Sequence, residues 1–287
     1  MPTARIGVIG GSGLYQMERL TEIEEVNIDT PFGTPSDAIV IGTIAGERVA
    51  FLPRHGRGHR FSPSEVPSSA NNYAHKSLGV EHIISVSACG SLREELAPLD
   101  VVIPDQLFDR TKGIRPATFF GEGVVVHISF ADPFCPELRG VLYQAAQEAG
   151  AKAHPEGTLV VMEGPQFSTR AESHAYRRLG FDLIGMTALP EAKLAREAEI
   201  CYATVAMVTD YDVWKPSEES VTVEMVVENL RKNVVTAQNI IQAAIAHIDR
   251  ARPCPCATAL RDAIITDPER IPPAQKERLD LLLGRYL

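Results

Sequence analysis

Short apolar segments that end in glycine or small polar residues recur along the first 210 residues, and amphipathic segments separate them. Strands that alternate with helices in this way are typical of α/β proteins with a parallel or mixed sheet. Open α/β sheets bind their ligands at the carboxyl ends of the strands. Five segment ends are therefore expected to lie around one site: GGSG (10–13), PRHG (53–56), SACG (87–90), MEGP (162–165) and GMTA (185–188).

The rest of the chain predicts one domain with an extension. A long stretch with helical apolar spacing covers residues 221–248, and the chain after it resembles two shorter helices. The only hinge-like stretch is RARPCPCA (250–257). We therefore expect residues 1–250 to form a single α/β domain, in which helices flank a central mixed β-sheet. Residues 251–287 are expected to form a C-terminal helical extension of that domain.

The composition argues against several classes of partner. Of 287 residues, 45% are hydrophobic and 23% charged, which is ordinary for a globular protein. The formal net charge of −9 does not favour nucleic acid or an anionic membrane surface. The sequence has no leader-like segment and no apolar run of the roughly 20 residues that span a bilayer. Five cysteines do not suggest a secreted disulfide framework, so we expect a cytoplasmic protein.

Two of the strand ends carry groups suited to an anion. GVIGGSGLY (7–15) offers backbone N–H groups, although a tight turn explains its glycines equally well. Its spacing differs from the G-x-G-x-x-G dinucleotide fingerprint, and the lack of G-K-[ST] excludes a P-loop. PRHGRGH (53–59) places Arg54 and His55 directly after a strand, and the arginine guanidinium suits phosphate. We interpret this second loop as functional.

Two further strand ends suit a planar ligand. SACGSL (87–92) consists largely of small residues that let a ligand approach the backbone, although a simple turn is an equal alternative. In MEGPQFSTRAE (162–172), Thr169 and Glu172 predict a capping box at a helix start. Phe167 has no such structural explanation, and an aromatic side chain on a loop suits a planar ligand.

Asp210 and Asp212, in VTDYDVW (208–214), follow a long apolar strand. Residues two apart in an extended chain project from one face, so both carboxylates are expected to point the same way. Like charges this close repel unless one acid is protonated or a ligand lies between them. Taken alone, a helix N-cap or a solvated loop explains the pair better than a binding site does.

Together, these motifs resemble the purine nucleoside phosphorylase family, and within it the S-methyl-5'-thioadenosine phosphorylases. The resemblance covers about residues 5–235 and rests on GGSGLY, DTPFGTPSD, PRHGRGH, ACGSLRE, DRT with a following RP, HISFADPFCP, EGPQFSTRAES, MTALPEAKLAREAEICYA and TDYDVW. It implies a nucleoside phosphorylase-like fold and phosphate-dependent cleavage of methylthioadenosine to adenine and 5-methylthioribose 1-phosphate. Inorganic phosphate is then a co-substrate, and neither a metal nor an organic cofactor is implied.

The resemblance also implies roles for individual residues. The phosphate site is expected to contain Ser12, Arg54, His55, Ser87, Ala88 and Thr187. The nucleoside is expected to contact Phe167, Ile184, Met186 and Val223, with Asp210 and Asp212 as the catalytic pair that holds the base. His127 is expected to reach the 5' end of the substrate from a neighbouring subunit, in a homotrimer or in a hexamer built as a dimer of trimers.

The aspartate pair predicts which purine is held. Adenine offers N7 as an acceptor and the 6-amino group as a donor on one edge. An Asp210 that shares a proton with N7, beside an Asp212 carboxylate that accepts from the 6-amino group, matches this edge. Hypoxanthine and guanine offer acceptors at both positions, so the pair favours 6-aminopurines.

Several alternatives are left open by the sequence. Related activities are a purine nucleoside phosphorylase that acts on adenosine or 5'-deoxyadenosine, and a methylthioinosine phosphorylase. Different classes are a nicotinamide-dependent oxidoreductase that uses GVIGGSG and a non-catalytic sensor of adenine nucleosides. Cys254 and Cys256 are either free thiols in a flexible tail or a strained disulfide.

Overall fold

The computed structural model describes residues 3–11, 13–14, 20–215 and 223–287. Its strands are β1 (Ile6–Gly10), β2 (Thr21–Val26), β3 (Ile39–Ile44), β4 (Glu47–Pro53), β5 (His82–Ser91), β6 (Val101–Val102), β7 (Gln106–Arg110), β8 (Ala153–His154), β9 (Thr158–Met162), β10 (Leu183–Gly185) and β11 (Cys201–Asp210). Its α-helices are α1 (Ser68–Ser77), α2 (Pro136–Glu148), α3 (Arg170–Arg178), α4 (Ala188–Glu197), α5 (Val223–His247), α6 (Pro273–Arg278) and α7 (Asp280–Leu283). Two short 3-10 helices cover Pro255–Thr258 and Pro268–Arg270.

The strands form one mixed sheet in the order β2-β3-β4-β1-β5-β10-β9-β7. β11 pairs with the other edge of β5 and is followed outward by β6 and β8. The centre of the sheet consists of four strands that are parallel to their neighbours: β4, β1, β5 and β11. Antiparallel pairing joins β2 to β3, β3 to β4, β5 to β10 and β6 to β11. The expectation of a central mixed sheet is confirmed, and the carboxyl ends of its four parallel strands share one edge.

Burial explains which strands the sequence pattern reveals. Every residue of β1 and β11 is buried, so both are continuous apolar runs. β2 lies at one end of the strand order, and five of its six residues are exposed. Its glutamates suit a sheet edge, where charge discourages pairing with another chain. Because β2 lacks apolar alternation, the sequence pattern does not predict it.

The apolar content of LDVVIPDQ (99–106) predicts one strand, but the structure divides this segment. Its first part contributes the two-residue strand β6, and its last residue begins β7, which pairs with β9 elsewhere in the sheet. Pro104 lies between them, and its nitrogen has no hydrogen to donate to a strand ladder. The prediction of one strand was wrong for this reason.

Helices cover both faces of the sheet. Alternate residues of β11 point to opposite sides, so Tyr202 belongs to one buried cluster and Val205 to the other. α2 and α5 pack on the Val205 side, and α4 packs on the Tyr202 side. The capping box predicted for Thr169 and Glu172 is confirmed at the start of α3. In the described part of the chain, no helix has the length and apolarity needed to cross a membrane.

The C-terminal extension packs against the sheet domain. The side chains of Leu260, Leu279 and Leu283 are fully buried in the cluster that contains α4. Ile264 forms a β-bridge with Val126, which attaches the extension to the loop before α2. Two short helices were predicted here; α6 and α7 lie within residues 273–283, whereas Pro255–Thr258 forms only a 3-10 turn. The extension therefore shares a hydrophobic cluster with α4.

Candidate active site

The shared edge of the sheet brings several predicted loops together. β1 and β4 end side by side, and the N–H of Arg54 donates to the Gly10 carbonyl at 2.9 Å. β5 and β11 also end together, with Gly90 opposite Asp210. β10 pairs with the end of β5 and stops at Gly185, just before the loop that begins α4. The ends of five strands thus surround one region at the edge of the sheet.

Arg54 is buried at the centre of this edge, where protein groups engage each of its three nitrogens. Its guanidinium forms a bidentate ion pair with Glu191 of α4, with Nε–Oε1 and Nη2–Oε2 distances of 2.9 and 3.1 Å. Nη1 donates to the Val86 carbonyl at 2.9 Å, and Nη2 donates to Ser85 Oγ at 2.7 Å. The Tyr202 hydroxyl donates to the same Glu191 carboxylate at 2.9 Å. This network connects β4, β5, β11 and α4.

His55, the next residue, is half-buried and neutral at pH 7. Its Nδ1 lies 2.8 Å from the Phe61 carbonyl oxygen, which can only accept, so we assign the ring proton to Nδ1. Burial and the neighbouring Arg54 cation lower the pKa of His55 to about 4. The ring stacks on that of His59, with centroids 4.2 Å apart. The remaining nitrogen, Nε2, is then an acceptor that suits a protonated phosphate oxygen.

Ser87 and Thr187 place two hydroxyl groups side by side. Ser87 lies on β5 and Thr187 directly precedes α4, and their Oγ atoms are 3.2 Å apart. Each hydroxyl can donate one hydrogen bond, so the two together can bind an anion. Ala88 follows Ser87 and is half-buried. Ser12, the remaining residue predicted for the phosphate site, lies outside the described residues.

Asp210, at the end of β11, is buried and held by two donors. Its Oδ1 accepts the backbone N–H of Asp212 at 2.8 Å, and its Oδ2 accepts the hydroxyl of Thr209 at 2.7 Å. The sequence predicted that both acids project from one face of an extended strand. That geometric reason was wrong, because β11 ends at Asp210 and a turn follows it. The turn nevertheless keeps the two acids adjacent.

Asp212 has a buried oxygen that a ligand could satisfy. Its backbone lies in the left-handed region, with φ at +52°, which aspartate adopts more readily than most residues. Its Oδ2 is buried and has no hydrogen-bond partner within the described residues. Burial raises the pKa of Asp212, and the nearby hydroxyls of Ser173 and Ser168 and the backbone N–H of Val213 only partly offset this. A donor from a ligand would satisfy the atom.

Gly90 and Ile184 line the same place as the two acids. A Cβ atom at Gly90 would lie 3.0 Å from Asp210 Oδ1, 3.1 Å from Ile184 Cγ2 and 3.5 Å from Asp212 Cβ. A larger residue at position 90 would therefore push against the acid pair. The small residues of SACG, for which a simple turn was an equal explanation, here leave room beside the carboxylates.

Phe167 and Met186 lie on the two loops that border the acid pair. A Cβ atom at Gly164 would approach Met186 Sδ to 2.6 Å, so these two loops touch. Arg115 binds both loops: Nη1 donates to the Met186 carbonyl at 2.6 Å, and Nε donates to Glu163 at 2.8 Å. Phe167 is 45% exposed. Its ring therefore has a free surface on which a planar ligand can pack.

Two other predicted residues lie apart from these contacts. Val223 is the first residue of α5, and its side chain is outside the described set. His127 is exposed, and its backbone N–H donates to the Ala263 carbonyl at 2.8 Å. Its predicted role concerns the site of a neighbouring subunit and stays a prediction.

A cavity of about 420 Å³ lies next to the candidate site. Its lining includes Phe32, Phe119, Gln275 and Arg278. Arg115 also lines it, and the same guanidinium holds the Met186 loop. The lining includes none of the residues predicted to bind phosphate or nucleoside. We therefore place the candidate site at the sheet edge and not in this cavity.

Sequence reasoning missed Glu191 and the role of Arg115. Glu191 belongs to GMTALPE (185–191), a sequence that indicates only a strand followed by a polar helix start, and it lies 137 positions from Arg54. The one available signal was its setting among apolar residues in TALPEAKLA, because a charge on a buried helix face requires a partner. Arg115 appeared only as part of the RP dipeptide in the family resemblance.

Comparisons with known proteins place the chain among nucleoside phosphorylases. The family model of the phosphorylase superfamily matches residues 5–246. The S-methyl-5'-thioadenosine phosphorylase of Chloroflexus aurantiacus is 64% identical over 286 residues, covering 100% of this chain and 99% of the relative. The protein of the same name from Geobacter sulfurreducens is 58% identical over 282 residues, covering 98% and 99%.

Solved structures share the fold. The crystal structure of a methylthioadenosine phosphorylase from an Antarctic soil metagenomic library has a TM-score of 0.94 and 53% identity, covering 99% of this chain and 100% of that one. Methylthioadenosine phosphorylase from Schistosoma mansoni, in complex with adenine, has a TM-score of 0.82 and 40% identity, covering 87% and 93%. The predicted nucleoside phosphorylase-like fold is confirmed.

Removing one partner of the buried ion pair is expected to destabilise the protein. Glu191→Gln leaves Arg54 buried without its counter-charge and should lower the free energy of unfolding by about 3–5 kcal/mol. Equilibrium unfolding in urea measures this loss. The matched control is Lys193→Gln on the same helix, which breaks the partly exposed Lys193–Asp109 pair and should cost at most about 1 kcal/mol. Equal losses in the two variants would contradict the structural importance of the buried pair.

Proposed function

This chain belongs to the phosphorylase superfamily, and we propose that it catalyses the phosphorolysis of S-methyl-5'-thioadenosine to adenine and 5-methylthioribose 1-phosphate. It is thus a pentosyltransferase, as the names of its full-length relatives indicate. The observation that carries the proposal is the buried, unpartnered Oδ2 of Asp212 beside Asp210, at a strand edge that also carries the Ser87–Thr187 hydroxyl pair. One end of the site suits a 6-aminopurine and the other suits phosphate.

The phosphate end acts mainly by position and charge. Cleavage of the C1'–N9 bond leaves an oxocarbenium-like sugar, which nearby phosphate oxygens stabilise and then capture. We assign hydrogen-bond donation to Ser87 and Thr187, and acceptance from a protonated phosphate oxygen to neutral His55. Arg54 supplies positive charge from behind, because Glu191 and neighbouring acceptors already engage its nitrogens. By resemblance, Ser12 and Ala88 complete this end.

The base end lowers the barrier by supporting the leaving purine. A purine leaves more easily when N7 accepts a proton or a strong hydrogen bond. We assign Asp210 to N7 and Asp212 to the 6-amino group, whose hydrogen satisfies the unpartnered Oδ2. Burial raises the pKa of Asp212, and a donor at its Oδ2 favours the charged carboxylate that accepts the amino hydrogen. We assign the proton shared with N7 to Asp210, as the sequence suggested.

The remaining contacts concern the sugar and a second subunit. We propose that Phe167 and Met186 pack on base and ribose, with Ile184 and Val223 nearby. We also propose a homotrimer, or a hexamer of two trimers, in which His127 reaches the 5' end of the neighbour's substrate. The side chain of His127 is exposed, and its backbone N–H is bonded to the Ala263 carbonyl. Both features support this assignment. A fully active monomer in sedimentation would remove His127 from the site.

The reaction as proposed uses inorganic phosphate as co-substrate and neither an organic cofactor nor a catalytic metal. Its products are those that purine salvage and methionine salvage consume. Both substrates are small and water-soluble, which supports our assignment of the reaction to the cytoplasm. Cell fractionation followed by activity measurement checks this compartment.

The first test of the function is product analysis with methylthioadenosine, with and without phosphate. We expect adenine and 5-methylthioribose 1-phosphate in equal amounts, and no cleavage without phosphate. Rates on adenosine, 5'-deoxyadenosine and methylthioinosine rank the related activities. Cleavage to free methylthioribose, or binding without turnover, would contradict phosphorolysis.

Variants at Ser87 test the phosphate end within the same assay. Ser87→Ala removes a donor to a charged ligand, which is worth about 1.5–3 kcal/mol, so the phosphate KM should rise roughly ten-fold or more. The KM for the nucleoside should change much less. Ser87→Thr keeps the hydroxyl and serves as the matched control. A phosphate KM unchanged in Ser87→Ala would remove this hydroxyl from the phosphate site.

Amide variants test the division of roles between the two acids. Asp210→Asn cannot pass a proton, so turnover of methylthioadenosine should fall by about 10²–10⁴-fold, as expected for the loss of a general acid. The amide can still donate to N7 or O6, so activity on inosine-type substrates should fall much less, or rise. Steady-state rates on methylthioadenosine and methylthioinosine measure the change in preference.

Asp212→Asn is the companion variant for the aspartate experiment. It should weaken the preference for 6-aminopurines with a smaller loss of rate, because its oxygen accepts the amino hydrogen but does not contact N7. If Asp210→Asn lost both substrates equally, or kept full activity on methylthioadenosine, Asp210 would have no part in proton sharing with N7.

A further inference from the structure

Four of the five cysteines converge at one buried place. The Sγ atoms of Cys135, Cys201, Cys254 and Cys256, here termed the thiol cluster, all lie within 4.8 Å of one another. All four are free thiols and all four residues are buried. The sulfurs of Cys201 and Cys254 are 3.3 Å apart. Four converging sulfurs in the interior require a chemical explanation.

Three separate parts of the fold deliver the thiol cluster. Cys135 precedes α2, and its backbone N–H donates to the Tyr202 carbonyl at 2.8 Å, which fixes it against β11. Cys201 is the first residue of β11. Cys254 and Cys256 flank Pro255, where the C-terminal extension begins its 3-10 turn. The sequence predicted a hinge or a flexible tail here, and in the structure both cysteines are buried.

The arrangement matches the coordination of a single tetrahedral ion. Zinc bound by four cysteines lies about 2.3 Å from each sulfur, so sulfurs at the corners of a regular tetrahedron are about 3.8 Å apart. Four sulfurs within 4.8 Å fit one such ion and are too close together to enclose a cluster of several irons. We propose that the thiol cluster binds one Zn²⁺ ion as a structural site.

The surroundings of the thiol cluster suit its charge. Zinc with four thiolates carries a net charge of −2, because each thiol loses its proton on binding. Nη2 of Arg252 lies 3.6 Å from Cys201 Sγ and also donates to the Glu199 carbonyl. Cys135 occupies the N-cap of the 13-residue helix α2, where the helix dipole favours a thiolate. Both features partly neutralise the anionic centre.

The proposed site is structural and remote from the reaction. A zinc ion with four protein ligands has no open position for substrate or water. Cys201 and Asp210 are the first and last residues of β11, about 30 Å apart at roughly 3.3 Å per residue. The ion would fasten the start of the C-terminal extension to β11 and α2. It would replace the expectation from the sequence that the chain has no metal.

The experiment begins with the full chain purified under reducing, chelator-free conditions. Elemental analysis for zinc, iron and copper should find about one zinc ion per chain. Titration with a mercurial should release the zinc as the thiols react. Reconstitution with Co²⁺ should produce the intense visible absorption of tetrahedral thiolate-bound cobalt. Iron or copper in place of zinc would overturn the assignment of the ion.

Single substitutions locate the metal. Cys254→Ser and Cys256→Ser should each lower the bound zinc from about one ion to a small fraction. The matched control is Cys89→Ser, which removes the only other cysteine, also buried, and should keep the full zinc content. Full zinc content in the Cys254 and Cys256 variants would overturn the site. The zinc and cobalt measurements on the unmodified chain decide the question even if these variants do not fold.

Thiol counting distinguishes the two other forms of the cluster. Thiols are counted in denaturant, after metal removal and without further reduction. Five free thiols with about one zinc before removal support the site. Fewer than five free thiols in a zinc-free chain would mean that the cluster forms disulfides, and five free thiols in a zinc-free chain would mean simple packing. Either result would overturn the proposal.

Discussion

The buried ion pair of Arg54 and Glu191 is the contact on which the candidate site depends. Two charges taken out of water destabilise a fold unless their geometry and remaining hydrogen bonds compensate. Here the pair is bidentate, and Val86, Ser85 and Tyr202 engage further atoms of both partners. These residues lie directly after β4 and on β5, β11 and α4, so the network fixes the relative positions of the elements that carry the residues proposed to bind phosphate and base. Separating these elements would leave an uncompensated buried charge, which opposes their relative movement.

The sequence predicts the strands that this network joins better than it predicts the sheet's periphery. β1 and β11 are buried along their whole length, and an apolar run that stops at glycine or aspartate marks them. β2 has no such mark, since only pairing with β3 makes it a strand. Pro104 divides a segment that apolar content alone would make continuous. Solvent-exposed elements are the ones that apolar periodicity does not predict.

The residues of the candidate site were likewise predicted only in part, but for a different reason. Strand ends can be recognised in one sequence, so Arg54, His55, Ser87 and Asp210 were proposed as site residues. Contact partners that lie far away along the chain cannot be recognised in this way. Glu191 looks like an ordinary helix start until the fold places it against Arg54. The thiol cluster is a stronger example, because Cys135, Cys201 and the Cys254–Cys256 pair have no regular spacing. In both cases the chemistry arises from tertiary packing and not from a motif.

We propose that the unpartnered oxygen of Asp212 gives the site its preference for 6-aminopurines. The network around Arg54 leaves few polar groups unsatisfied, yet Asp212 Oδ2 is buried without a donor in the described part of the chain. An unsatisfied buried acceptor costs the folded protein about 1–3 kcal/mol. A 6-amino group supplies the missing hydrogen and recovers that free energy on binding, whereas a 6-oxo group brings a second acceptor. The preference for 6-amino over 6-oxo purines therefore depends less on the strength of one hydrogen bond. It depends more on the removal of water from this oxygen, which has already occurred when the protein folds.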